Sequence, residues 1–483
     1  KQSIKKNFIM NALLTMSSFI FPLITFPYVS RILMPEGTGK VSFVTSVITY
    51  FSMFAQLGIP TYGIRACAKV RDDKKELSKV VHELLFINLI MSILTYVVFG
   101  ICLFTIQRFR TEKTLFVIIS TTIIFNAIGV EWLYKGLEQY TYITIRSLIF
   151  KILALVAMLA LVHKKEDYII YGAITIFAAS ASNILNFVNA HKYVYVKPVG
   201  NYDLKQHLKP VLIFFAMSCA TIIYTNLDTV MLGFMKTNTD VGYYNAAVKI
   251  KGVLLGVVTS LGTVLLPRAS YYIEHDMKEK FLAISKKAIE FVFLISIPLF
   301  VYFMIFAREG IFFLSGTAYE GAIIPMQIIM PTIMWIGLTN IMGMQMLVPM
   351  GKEKIVLYSE IAGAIVDLII NFTLIPSMAS VGAAIGTLVA EMVVWIVQFL
   401  SLKKIVFASY SRIHYGKIVV AVIFSVVGSI WIKKLLCGTF VTLLVSGILF
   451  FGLYLLVLTM ERETLIIEIE NQVLDIIKKK RNK

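Results

Sequence analysis

The stretch FIMNALLTMSSFIFPLITFPYVSRIL, residues 8–33, decides the class of fold. Arg31 is the only charged residue in it. A helix needs about 20 mainly apolar residues to cross a lipid bilayer, and this run is longer. A polar turn, MPEGTGK at residues 34–40, separates it from a second apolar run. We therefore expect two helices that cross a membrane, joined by a short turn.

The rest of the chain repeats this pattern. Of its 483 residues, 58% are hydrophobic and 15% are charged, whereas soluble domains are about 45–50% apolar and about 25% charged. The predicted fold class is an all-α polytopic membrane protein with about fourteen transmembrane helices. Their predicted positions are residues 8–33, 41–63, 82–106, 114–134, 143–162, 168–190, 209–234, 242–267, 288–307, 322–349, 356–376, 382–402, 416–436 and 438–459.

The charge pattern predicts an orientation in the membrane. The formal net charge is +18, and Lys and Arg concentrate in every second loop, for example within residues 65–79 and 268–287. Such an asymmetry is typical of a protein whose basic loops face the cytoplasm. We expect a multi-pass protein of the cytoplasmic membrane with both termini inside. Because the charge lies in short clusters between spans, we do not expect nucleic-acid binding.

An internal repeat predicts the domain organisation. The sequence SRILMPEGTGKVSFVTSVI from residue 30 is similar to TVMLGFMKTNTDVGYYNAAVKI from residue 229. Six spans would then form each of two pseudo-symmetric lobes with the same orientation. The predicted parts are an N-lobe at 1–200, a C-lobe at 201–405, two extra helices at 406–460 and a basic amphipathic tail at 461–483. Two such lobes favour transport by alternating access.

Ionisable residues inside the spans are candidates for the functional site, since a charge at the centre of a span costs about 2.5–3.5 kcal/mol on translocon scales. We interpret the buried cations as a cavity that holds phosphate oxygens: Arg31, Lys151, Lys249 and, at its inner mouth, Arg146. The acids assigned to ion coupling or charge balance are Asp228, Glu131 and Asp367. The alternative is that these groups form structural ion pairs between helices.

Several short motifs resemble the Wzx-type polysaccharide flippases of the multidrug/oligosaccharidyl-lipid/polysaccharide exporter superfamily. They are FPYVSRIL at residues 26–33, EWLYKGLE at 131–138, NLDTVMLG at 226–233, LLPR at 265–268 and NFTLIP at 371–376 followed by GAAIG at 382–386. The resemblance implies two six-helix lobes plus two helices. It also implies that a polyprenyl-diphosphate-linked oligosaccharide is moved across the cytoplasmic membrane, with basic cavity residues corresponding to Arg31 and Lys249.

The same sequence features predict the partners of the protein and leave two alternative functions open. The expected partners are the lipid-linked oligosaccharide, membrane lipids and a counter-ion, either a proton or sodium, and the expected state is a monomer. No G-x-x-x-x-G-K-[ST] sequence is present, so we expect no cofactor and no direct use of ATP; no metal site or catalytic residue is expected. One alternative is a cation-coupled drug antiporter of the same superfamily. A less favoured alternative is a polysaccharide polymerase, an enzyme that needs longer external loops.

Overall fold

The computed structural model describes residues 4–410, 413–435, 438–463 and 465–467, with side chains for all of these except 4, 5, 8, 19, 261–268, 408 and 409. Within those ranges every regular element is a helix and no strand occurs. The predicted all-α class is confirmed. The predicted tail at 461–483 lies for the most part outside the described residues.

The first half of the chain forms eleven α-helices. They are α1 (Ile4–Gln56), α2 (Ile59–Lys69), α3 (Lys74–Thr105), α4 (Gln107–Thr111), α5 (Lys113–Ile128), α6 (Glu131–Gly136), α7 (Tyr140–Leu161), α8 (Tyr168–Ile176), α9 (Asn183–Asn189), α10 (Lys205–Met235) and α11 (Asn238–Glu274). A π-helical turn, Phe177–Ala181, follows α8. Short 3₁₀ turns occupy Lys165–Asp167 and Ala190–Lys192.

The second half of the chain has the same character. Its α-helices are α12 (Lys278–Ile305), α13 (Ala307–Ser315), α14 (Ile323–Ile329), α15 (Thr332–Thr339), α16 (Glu353–Met378), α17 (Ser380–Tyr410), α18 (Tyr415–Ser429) and α19 (Thr439–Met460). Here a π-helical segment occupies Asn340–Leu347, and 3₁₀ turns occupy Thr317–Ala322 and Ile430–Lys434.

Within the described residues, twelve helical stretches are long and apolar enough to cross a membrane, or up to thirteen if the bent pair Thr317–Ile329 and Thr332–Leu347 is one span. The first stretch, Ile9–Lys69, has 61 residues, about three times what one crossing requires. It contains both of the first two predicted spans. If this stretch crosses the membrane twice and the bent pair crosses it once, the spans number fourteen, as the sequence predicts. That number remains a prediction.

The backbone breaks inside α1 where the sequence predicts the first turn. Met34 has φ 59° and ψ 177°, since Pro35 disfavours helical geometry in the residue before it. After this break, α1 lies against the start of α11. A Cβ atom added to Gly39 would lie 1.7 Å from the carbonyl oxygen of Asn238, and one added to Gly242 would lie 2.1 Å from that of Pro35. The two backbones therefore touch where only glycine leaves space.

Helix α3 shows how the side chains are distributed. Its outward stripe is apolar, with more than half of each side chain exposed, at Leu89, Ile93, Val97 and Ile101. Its buried face is mixed: it holds the polar residues Glu83, Asn88, Ser92 and Thr95 beside apolar ones that include Leu84 and Phe99. Exposed apolar stripes on this scale are unfavourable in water and favourable against lipid hydrocarbon. The protein is a multi-pass membrane protein, and in α3 the polar side chains of the span are turned away from the apolar outer stripe.

The start of α10 is held to α2 and α3 by a polar cluster around the buried Glu83 and His207. We call it the α10 anchor: Tyr62, Glu83, Asp203, Gln206 and His207. The Glu83 carboxylate accepts hydrogen bonds from His207 Nε2 at 2.8 Å, from Gln206 Nε2 at 3.2 Å and from the backbone N–H of Asp203 at 2.6 Å. His207 Nδ1 lies 2.8 Å from the Tyr62 hydroxyl. The anchor fixes the beginning of a helix that lines the site described below.

The chain divides into two compact units, Lys1–Asn245 and Ala246–Lys483, called here the N-terminal and the C-terminal unit. The division falls inside α11. This division does not test the lobe boundaries predicted from the repeat, which stay a prediction.

Candidate functional site

Arg146 and Glu131 form an ion pair in the N-terminal unit. Arg146 lies on α7 and is 5% exposed, and its Nη2 is 3.4 Å from Glu131 Oε2. Its Nη1 donates to the carbonyl of Ser182 at 3.1 Å and to Asn183 Oδ1 at 3.4 Å. Glu131 also contacts Lys135, one turn later in α6, at 2.8 Å. The structure thus brings a predicted cation and a predicted acid together.

Two other predicted cations of the N-terminal unit have neutral oxygen acceptors. Lys151 on α7 donates to the hydroxyls of Ser17 and Ser18 on α1, at 2.7 and 3.1 Å. Arg31 is exposed and donates to the carbonyl of Pro27, one turn earlier in its own helix. The two serine hydroxyls hold the positive charge of Lys151 in place without neutralising it.

The remaining predicted residues lie on three helices. Asp228 on α10 is buried and accepts a 2.6 Å hydrogen bond from the hydroxyl of Tyr244. In the C-terminal unit, Lys249 on α11 is partly buried, and Asp367 on α16 is buried beside α17. A Cβ on Gly386 would lie 2.8 Å from Asp367 Oδ1, so the α17 backbone passes directly over this carboxylate.

The N-terminal unit contains two adjacent cavities. The larger cavity has a volume of about 370 Å³ and is lined by Thr45, Ile48, Thr49, Ser52, Met53, Gln56, Gly58, Pro60, Ile119, Thr122, Asn126, Thr175, Ile176, Ala179, Ser218 and Ile222. The smaller cavity, about 190 Å³, is lined by Gln56, Pro60, Asn88, Asn126, Glu131, Trp132, Lys135 and Asn183. Gln56, Pro60 and Asn126 belong to both walls, so the two volumes adjoin.

Interruptions of the helices open these cavities. Between α1 and α2, Leu57 and Gly58 have positive φ values of 45° and 75°, and Pro60 stands in the first turn of α2. Between α5 and α6, Val130 has φ 35°. A π-helical turn, which is frequent at functional sites, follows Thr175 and Ile176. Each interruption ends a helix beside residues that line a cavity: Gln56 and Gly58 at the first, Glu131 at the second, and Thr175 and Ile176 at the third.

Several polar atoms at these walls lack a hydrogen-bond partner among the described residues. They are Asn88 Oδ1, Thr122 Oγ1 and Trp132 Nε1, together with Arg146 Nε behind the wall. An unsatisfied buried polar group costs about 1–3 kcal/mol, and native proteins keep few of them.

The uncharged members of this site were not predicted from the sequence. The predicted site residues are all ionisable, whereas Gln56, Asn88, Asn126 and Asn183 carry no charge. Asparagine and glutamine inside otherwise apolar runs were the available signal. Among the described residues, no group of three or more His, Cys, Asp or Glu side chains is arranged to hold a metal ion.

Known proteins resemble this chain in sequence. The profile of the family described as polysaccharide biosynthesis protein matches residues 4–273. A putative O-antigen transporter of Escherichia coli (strain K12) is 25% identical over 399 residues, covering 82% of this chain and 95% of the relative. A putative O-antigen transporter of Shigella dysenteriae is also 25% identical, over 81% of this chain and 98% of the relative.

Solved structures resemble it in fold. The lipid II flippase MurJ in an inward closed conformation gives a TM-score of 0.72 at 15% identity, covering 95% of this chain and all of that one. An inward-facing multidrug resistance MATE family transporter of the MOP superfamily gives 0.64 at 15% identity, over 84% and 99%. The resemblance to the Wzx-type branch of this superfamily is confirmed. With more than half of its length matched by the family profile, the chain belongs to the polysaccharide biosynthesis protein family.

Proposed function

We propose that the protein translocates polyprenyl-diphosphate-linked oligosaccharide repeat units across the cytoplasmic membrane, by alternating access, for assembly of surface polysaccharide. The observation that carries this proposal is the pair of adjoining cavities, both of which carry hydroxyl or amide side chains in their walls, within helices whose outer faces are apolar. Such an arrangement shelters a polar headgroup while a lipid tail stays in the bilayer. The relatives in Escherichia coli and Shigella dysenteriae, both named putative O-antigen transporters, support the same class of substrate.

The diphosphate is assigned to the cations. Arg31, Lys151 and Lys249 would hold its oxygens, with Arg146 at the inner mouth. The bonds of Lys151 to two serine hydroxyls support its role, because a phosphate oxygen can replace either hydroxyl without breaking an ion pair. Arg146 contributes less directly, since Glu131 already accepts from it.

The proposal includes energetic coupling to a proton or sodium ion through Asp228, Glu131 or Asp367. We also propose that the protein is a monomer and that both of its termini lie in the cytoplasm. The orientation of the termini is supported by the charge pattern of the sequence.

A drug antiporter fits the N-terminal unit less well. An organic cation needs an acid that is free to pair with it, but Glu131, the acid at the smaller cavity, lies between Lys135 and Arg146. The names of the sequence relatives favour transport over a polymerase reaction. The similarity in fold to a MATE transporter supports alternating access but gives no information about the substrate.

The proposal is tested in the native host with its chromosomal copy deleted. Deletion should abolish surface polysaccharide, and a plasmid copy of the wild-type gene should restore it. Arg31→Ala, Lys151→Ala and Lys249→Ala should each lower the restored amount at least about tenfold, because each removes a charge-assisted bond to phosphate worth about 1.5–3 kcal/mol. Immunoblots of membranes check that the variants are expressed.

Lys113→Ala is the matched control, since Lys113 is an exposed lysine at the start of α5. It should restore surface polysaccharide fully. Unchanged surface polysaccharide after deletion would contradict the proposed function. Full restoration by all three cavity variants would contradict only the assignment of the diphosphate to these cations.

A further inference from the structure

The walls of the two cavities differ from a phosphate site in their chemistry. The larger cavity offers hydroxyl groups from Thr45, Thr49, Ser52, Thr122, Thr175 and Ser218. Amide groups come from Gln56 and Asn126, and the smaller cavity adds the amides of Asn88 and Asn183. Its charged residues, Glu131 and Lys135, are paired with each other. Neutral donors and acceptors therefore line much of the smaller cavity, and in the larger cavity they stand among apolar side chains such as Ile48 and Ile119.

Unsatisfied atoms at the wall point to a ligand that hydrogen-bonds. Asn88 is 2% exposed and Trp132 is 4% exposed, and each has a side-chain polar atom without a partner in the part of the chain that the structure describes. Thr122 Oγ1 also lacks a hydrogen-bond partner among the described residues. An apolar ligand would leave these atoms unpaired, at a cost of about 1–3 kcal/mol each.

Charge excludes other ligand classes. A phosphate group in the smaller cavity would meet the carboxylate of Glu131, and the two cations near it are already bonded to that carboxylate. An organic cation would find no acid without a partner there. An uncharged molecule with many hydroxyl groups matches amides, hydroxyls and an indole N–H. The larger cavity, at about 370 Å³, lies within the range of about 300–1,000 Å³ typical of small-ligand sites.

We propose that the two cavities of the N-terminal unit form a sugar subsite, which binds a neutral hexose or N-acetylhexosamine of the lipid-linked oligosaccharide. This inference rests on the proposed function. It separates recognition of the sugar, by Asn88, Asn126, Asn183 and Thr122, from retention of the diphosphate by cations. The indole Nε1 of Trp132 supplies an N–H donor to the sugar.

The subsite predicts that amide and hydroxyl side chains discriminate between substrates with and without a sugar. A site built to hydrogen-bond a hydroxyl group loses affinity sharply when either member of the pair is removed, because the other is left buried and unpaired. Loss of one such bond corresponds to about a threefold to tenfold weaker affinity.

The test compares two kinds of lipid on the full-length protein in lipid nanodiscs. One is bare polyprenyl diphosphate, and the other is a panel of polyprenyl diphosphates that each carry glucose, galactose, N-acetylglucosamine or N-acetylgalactosamine. Wild type should bind at least one sugar-bearing lipid about tenfold more tightly than the bare lipid. Thr122→Val and Asn88→Leu should each weaken that binding about threefold to tenfold and leave the affinity for the bare lipid unchanged.

Thr121→Val is the matched control, because Thr121 lines neither cavity and its hydroxyl already donates to the carbonyl of Ile118 at 2.6 Å. It should leave both affinities unchanged. Melting temperatures guard against misfolding. Thr122→Val removes a hydroxyl that lacks a partner among the described residues, so its melting temperature should not fall.

The outcomes separate the two proposals. If wild type binds the sugar-bearing and the bare lipids equally, or if Thr122→Val and Asn88→Leu bind both like wild type, the subsite is wrong while the flippase function stands. If wild type binds none of these lipids, the proposed function fails and the subsite fails with it.

Discussion

At the scale of single residues, the charged side chains of the N-terminal unit differ in burial, and therefore in how much their ion pairs contribute to the free energy of unfolding. Arg146 is almost fully buried, with 4% of its side chain exposed, whereas the Glu131 side chain is 36% exposed. Removing one member of a buried ion pair leaves the other uncompensated, which costs about 3–5 kcal/mol when both are buried. Pairs at the surface contribute about 0–1 kcal/mol. The environment of each partner therefore decides how much an ion pair contributes.

This contrast gives a stability prediction for the Glu131 ion pairs. Glu131→Gln should lower the free energy of unfolding in detergent by about 1–3 kcal/mol, less than for a fully buried pair because Glu131 is partly exposed. Lys135→Ala, which breaks only the pair within α6, should cost no more than about 0.5 kcal/mol. Thermal and denaturant unfolding of the two variants check this. Equal losses would show that Arg146 does not depend on Glu131.

At the scale of secondary-structure elements, the site lies where helices are interrupted. The sequence predicts the α1 break well, because Pro35 and the polar turn around it interrupt an apolar run. The breaks at Leu57–Gly58 and at Val130 were not predicted, since both lie inside the predicted spans 41–63 and 114–134, where single polar residues such as Gln56 and Glu131 interrupt the apolar run too briefly to mark a helix end. The pairing of Arg146 with Glu131 joins two helices, and spacing along the chain gives no information about such contacts.

The α10 anchor gives a prediction at this scale. Glu83→Ala would leave His207, Gln206 and the backbone N–H of Asp203 without their acceptor. We expect a loss of about 2–4 kcal/mol in the free energy of unfolding, chiefly because the buried His207 ring loses its acceptor, and faster proteolysis between α9 and α10. The control is Glu76→Ala, an exposed glutamate in the first turn of α3, which should change little. Unaltered proteolysis in Glu83→Ala would show that the anchor does not hold α10.

At the scale of the whole molecule, composition alone indicated the fold class, because 58% hydrophobic residues and 15% charged residues leave few alternatives to membrane helices. The positions of most spans also followed from hydropathy, within a few residues. What composition did not reveal was the site. Neutral polar residues such as Asn88 and Asn126 barely interrupt an apolar run, and only the folded helices bring them to one cavity.

Reconstituted transport tests the central claim most directly. The purified full-length chain is placed in liposomes with a fluorescent polyprenyl-diphosphate-linked oligosaccharide, and a membrane-impermeant reductant then quenches the label in the outer leaflet. The account predicts that label initially protected in the inner leaflet becomes quenched over time in liposomes that contain the protein, and stays protected in protein-free liposomes. An equal protected fraction in both, with folded protein present and across a panel of oligosaccharides, would contradict it.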